Sequence, residues 1–182
     1  IKPDLIFLWD EAWFAFAGFH PTYRRRTGMG TAARLRESFK DPEFRERYAA
    51  FKKSFGNPPD DDERWLDTRL VPDPDRARIR VYVTHSTHKT LTALRQGSMI
   101  HVNDQDFRQK VEEAFYEAYM THTSTSPNYQ ILASLDIGRR QVELEGYELV
   151  QKQLDHAMAL RERIATHSLL KKYFRFLATG DL

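Results

Sequence analysis

The sequence predicts an α/β fold with a mainly parallel sheet flanked by helices. Two observations carry this. Short runs rich in apolar and β-branched or aromatic residues, Asp4-Leu5-Ile6-Phe7-Leu8-Trp9 and Ile79-Arg80-Val81-Tyr82-Val83, end in polar residues, as buried strands do. Between and after them, apolar residues recur at spacings of three and four, the period of an amphipathic helix. Strands alternating with helices put parallel strands in one sheet. With 182 residues, 41% hydrophobic and 13% aromatic, the chain suffices for one domain or a large piece of one.

Taken in order, the first strand ends at Asp10 and a turn follows. Phe14 to Phe19 is apolar and aromatic and closes on a turn at Pro21. It reads equally as the wall of a site or as core. His20 alone reads as a hydrogen-bonded structural histidine. Thr22 to Gly30 reads as loop. Residues 31 to about 56 predict two helices, one through Ala32, Leu35 and Phe39, the other through Phe44, Tyr48, Phe51 and Phe55. Asp41 is placed to cap the second and Pro42 to occupy its first turn. After the second strand, Ser98 to Val102 predicts a third, and Asn103 is expected to cap a helix through Phe107, Val111, Phe115 and Tyr119. A Thr/Ser loop at 121–126 precedes a helix from Pro127 through Val142. Gly146 is expected to interrupt it before a long helix from Tyr147 to about Leu170. The sequence has no internal repeat and no low-complexity tract.

Several function classes fall away. Without cysteine there is no disulfide framework and no thiolate chemistry. No apolar run approaches the roughly 20 residues of a membrane span, and no signal segment opens the chain. Arg24 to Arg26, Arg34, Arg36, Lys52 and Lys53 suggest a phosphate-binding patch for nucleic acid. No recognition motif accompanies them and an acidic run, Asp60 to Glu63, lies close by, so a solvated face or subunit contact is the preferred reading. The chain opens at Ile1, just before a strand, and is expected to be an internal piece of a larger protein.

The most informative stretch follows the second strand. Ser86-x-His88-Lys89, continued by Leu91-x-Ala93-Leu94-x-Gln96-Gly97-Ser98-Met99-Ile100-His101, resembles the pyridoxal-phosphate lysine motif of the bacterial ornithine/lysine/arginine decarboxylases. Asp10-x-Ala12-Trp13 is similar to that family's cofactor-nitrogen site, and Ala118 to Tyr129 to its hydroxyl-rich loop. These segments stand in the family's order, and the resemblance covers residues 1 to about 22 and 79 to about 175. It implies part of the large domain of a fold-type-I pyridoxal-phosphate enzyme. Residues 31–76 are expected to be a helical insertion on the surface, with the upstream part and the C-terminal domain outside the chain.

The resemblance also implies roles. Lys89 would form a Schiff base with pyridoxal 5'-phosphate and must be unprotonated to do so, which burial or a nearby positive charge favours. Asp10 would hold the proton on the ring nitrogen, Trp13 would pack by the cofactor, and Ser86 would donate to its phosphate. Ser124, or its neighbours Thr123 and Thr125, would reach the phosphate across the interface of a homodimer or higher homo-oligomer. His88 would contact phosphate or substrate, or deliver a proton to Cα. The substrate would be arginine, lysine or ornithine, the product a polyamine precursor and the location cytoplasmic, with no membrane or nucleic-acid partner and no metal. Arg95 and His20 depart from the family's usual residues, and the substrate among the three is not read from the sequence. The alternatives are another pyridoxal-phosphate outcome such as transamination, or a non-catalytic interaction or regulatory paralogue.

Overall fold

Strand β2 (Arg80–His85) is the best-buried strand of the molecule, and β1 (Phe7–Asp10) and β3 (Met99–Asp104) lie on either side of it. A computed structural model describes residues 2–55, 62–177 and 180. β1 runs parallel to β2, with Phe7 opposite Val81 and Asp10 opposite Thr84. β3 runs antiparallel, with His85 opposite Met99 and Arg80 opposite Asp104. The α/β class is as expected, and the sheet among the described residues is mixed. The connection Ser86–Ser98 explains this, because it winds only one helical turn, α5 (Thr87–Thr90), and a parallel return needs a helix-length crossover.

The helical elements are α1 (Pro21–Arg24), α2 (Gly28–Ser38), α3 (Pro42–Phe55), α4 (Asp62–Asp67), α6 (Glu112–His122) and α7 (Tyr129–Thr166). A 3₁₀ turn at Ala15–Phe19 and a π-helical turn at Phe107–Val111 link them to the strands. The expected loop at 22–30 is instead helical at both ends. Thr27 caps α2 through its hydroxyl to the Gly30 amide, so the Gly-rich segment begins a helix. Asp41 accepts from the Glu43 amide and starts α3 as expected.

Alternate residues of β2 face the two sides of the sheet. On one side Val81 and Val83 join Ile79, Ala32, Phe39 and Phe44 in the core. The helices of 31–76 are therefore not simply a surface insertion, since α2 and the start of α3 cover the sheet. The acidic stretch from Asp60 to Asp61 lies outside the described residues. On the other side Arg80 donates to the Asp104 carboxylate at 3.0 Å and Tyr82 to the same carboxylate at 2.7 Å. Burial and that hydrogen bond push the Tyr82 hydroxyl up to about 12. Burial works to raise Asp104, but the bonds from Arg80 and Tyr82 outweigh it and hold the carboxyl below its usual range.

This network corrects the expected helix start at Asn103. Asn103 pairs with Val81 inside β3, and its side chain accepts from Arg36 at 2.7 Å. With Arg36 on the sheet and Arg24 donating to the Gly18 carbonyl, two of the basic residues serve the fold. Gly146 does not interrupt α7, which runs 38 residues, about 57 Å at 1.5 Å per residue. A Cβ there would stand 3.0 Å from Phe19, so the glycine lets the helix pack on the 3₁₀ turn. Among the described residues no helix is long and apolar enough to cross a membrane.

Candidate active site

The paired ends of β1 and β2 bring two of the expected site segments together. Asp10 is the last residue of β1, and the Glu11 amide donates to the Thr84 carbonyl at 3.0 Å, extending the pairing by one residue. Asp10 is exposed; one carboxylate oxygen accepts from the Ala12 amide, and the other has no partner among the described residues. β2 ends at His85, and the chain turns through Ser86 into α5. Lys89 is exposed there, with its ammonium 5.1 Å from the centre of the Trp13 ring, in cation–π range. No carboxylate pairs with it among the described residues. Asp10, Trp13 and Lys89 thus stand at the carboxyl ends of adjacent parallel strands, where ligands of α/β sheets sit.

The turn itself is held from behind. The Thr87 amide donates to the Gly97 carbonyl, and His88 Nδ1 lies 2.9 Å from the same oxygen. A carbonyl can only accept, so Nδ1 carries the hydrogen and Nε2 is left for other work. Ser86 caps α5 without using its hydroxyl. Helix α7 buttresses the segment after Lys89: Ser134 accepts from the Leu94 amide at 3.0 Å, and Gly138 lies against the Thr92 carbonyl.

Thr123, Ser124 and Thr125 do not join this group. They occupy the exposed link between α6 and α7, where Ser124 accepts from the Ser126 amide, and no described bond ties them to Asp10 or Lys89. His20 is structural, bonded to Gln151 at 3.0 Å and stacked on Tyr147.

Glu11, His85 and His101 were not singled out by the sequence. Glu11 is buried and accepts from the Gly28 amide at 2.6 Å and from His85 Nε2 at 3.1 Å. The His101 ring lies 4.6 Å from that of His85, with Nε2 buried and unpartnered. Burial pushes His101 down and the neighbouring His85 adds to this, while Glu11 opposes it. The available signal was a lone Glu between a strand-end Asp and an apolar segment.

The free groups fit pyridoxal phosphate: a primary amine, a carboxylate with an open oxygen, an indole face and an unused hydroxyl. No cluster of His, Asp or Glu suited to a metal occurs among the described residues. The family model for the Orn/Lys/Arg decarboxylase major domain matches residues 67–178. Lysine decarboxylase LdcA of Pseudomonas aeruginosa is 36% identical over 157 residues, 86% of this chain and 15% of that protein. The biodegradative arginine decarboxylase of Escherichia coli is 30% identical over 174 residues, 94% of this chain and 17% of that protein. The solved lysine decarboxylase A from Pseudomonas aeruginosa superposes with a TM-score of 0.58 at 30% identity, over 94% of this chain and 18% of that one. The chain therefore spans less than a fifth of the length of these relatives. The segment matched by the family model contains the Ser86–Lys89 turn with β2 and β3 on either side of it, and the chain belongs to the Orn/Lys/Arg decarboxylase family.

Proposed function

We propose that the protein to which this chain belongs decarboxylates a basic amino acid, arginine, lysine or ornithine, using pyridoxal phosphate attached at Lys89. The observation that carries this reading is the meeting of Asp10, Trp13 and Lys89 at the ends of two paired parallel strands, within a member of this family. The relatives' names, lysine, arginine and ornithine decarboxylase, support the substrate class. When bound, the cofactor supplies an electron sink for the pair left on Cα as carbon dioxide departs.

The remaining work belongs to the chain. Lys89 would attach the cofactor, and the Trp13 ring face, in cation–π contact with the Lys89 side chain, would pack beside it. The open oxygen of Asp10 holds the proton on the ring nitrogen, because a carboxylate there favours the charged form. The Ser86 hydroxyl binds phosphate. With Nδ1 committed to Gly97, His88 would use Nε2 to contact phosphate or substrate or to move a proton. Ser124, with Thr123 and Thr125, would bind phosphate from a second copy of the chain. A cytoplasmic homo-oligomer goes with this reading.

The test is release of labelled carbon dioxide from carboxyl-labelled arginine, lysine and ornithine by the full-length protein supplied with cofactor. Release from one of them, abolished by Lys89→Ala, is expected. No release from any of the three by cofactor-loaded protein would refute the substrate class, and a 2-oxo acid product would point to transamination.

A further inference from the structure

Asp10 and Lys89 must address opposite ends of one rigid ring, the nitrogen and the carbon para to it that bears the aldehyde. Their separation is therefore set by the ligand, and the protein must hold two strand ends at that spacing. A single buried carboxylate joins these ends. Glu11 follows Asp10 directly, and its backbone amide is bonded to the Thr84 carbonyl. Its side chain binds the Gly28 amide at the start of α2 with one oxygen and His85, the last residue of β2, with the other. Three residues separate His85 from Lys89. The His85 ring is backed in turn by His101 of β3, so the link crosses the whole sheet.

We infer that Glu11 is a positioning residue for the cofactor site, setting the spacing between Asp10 and Lys89 through His85; this rests on the pyridoxal-phosphate reading above. A staple for the fold alone could bond Gly28 and stop. Glu11 also grips the residue from which the lysine turn departs, and it does so from a buried place, 6% exposed. A displacement near 1 Å at a reacting group costs about 100-fold in rate, so loss of this grip falls on turnover and cofactor binding more than on substrate affinity. Glutamine at this position keeps the shape: its carbonyl accepts from Gly28 and its amide donates to an unprotonated nitrogen of His85.

The experiment uses the full-length protein with pyridoxal phosphate, comparing wild type with Glu11→Ala, Glu11→Gln and His85→Ala well below their melting temperatures. Cofactor affinity is read by titration and Lys89 occupancy by borohydride trapping, alongside kcat and KM. Glu11→Ala and His85→Ala are expected to weaken cofactor binding about 10-fold or more and to lower kcat by about 10- to 100-fold with KM nearly unchanged. Glu11→Gln should recover most of both. If Glu11→Ala does not fold, His85→Ala, which leaves the bond to Gly28 in place, decides alone. Wild-type cofactor affinity and kcat in the folded variants, with only a lowered melting temperature, would overturn the inference. Absence of trapped cofactor on Lys89 in the wild type would instead overturn the reading on which it rests.

Discussion

Gly138→Ala is the substitution for which helix propensity and packing give opposite answers. In a solvated helix the change would stabilise by about 1 kcal/mol, since alanine loses less backbone freedom on folding. Here a Cβ would fall 2.3 Å from the Thr92 carbonyl oxygen, about 1.1 Å inside the 3.4 Å at which ordinary contact begins. The obstacle is backbone, so no rotamer relieves it. Overpacking of this kind costs about 1–3 kcal/mol, which leaves a net destabilisation of up to ~2 kcal/mol. The larger expected effect is on the site. Thr92 lies three residues after Lys89, and the loop must move by about an ångström, enough to lower turnover by up to about 100-fold. Steady-state decarboxylation and borohydride labelling of Lys89 in full-length Gly138→Ala would measure this. Gly18→Ala is the control, because nothing lies within 4 Å of a Cβ there. Gly138→Ala with wild-type turnover and equal or greater stability would refute the packing of α7 on the lysine loop.

Two further predictions concern buried charge. Arg80→Leu removes the cationic partner of an Asp104 carboxylate that is fully buried. It should destabilise by about 3–5 kcal/mol, the cost of leaving one buried charge uncompensated. Denaturant titration checks this, and a loss below about 1 kcal/mol would contradict it. His101 is held below its usual range by burial and by His85. A depressed histidine stays neutral when folded while the unfolded chain takes up a proton, so its contribution is present above about pH 6.5 and is lost as pH falls through the folded value. His101→Gln should flatten that part of the stability–pH curve between about pH 7.5 and 5; an unchanged slope would contradict the assignment.

The strands, the α3 cap and the lysine turn were legible in the sequence because each is written locally, in an apolar run or a capping residue. What was missed depends on partners distant in sequence. Asn103 looks like a helix cap until Arg36 and the Val81 pairing hold it in β3. Gly146 looks like a break until Phe19 fills the space beside it. The Gly28–Gly30 segment looks like loop until Thr27 and Glu11 satisfy its amides. Of the candidate site, the motif names Asp10, Trp13, Ser86, His88 and Lys89. It does not name Glu11 and His85, because what they do depends on two strand ends meeting. Thr123, Ser124 and Thr125 have no described bond to Lys89 within one copy of the chain, and an assembly is needed to test the role the motif implies for them.

The most direct test of the central claim is chemical. The full-length protein would be supplied with pyridoxal phosphate, reduced with borohydride and digested, and the peptides searched for a phosphopyridoxyl group. The group on Lys89, and its loss in Lys89→Ala, is the predicted result. A protein that takes up no label, or carries it on another lysine while Lys89 stays free, would contradict the assignment of this turn as the cofactor site.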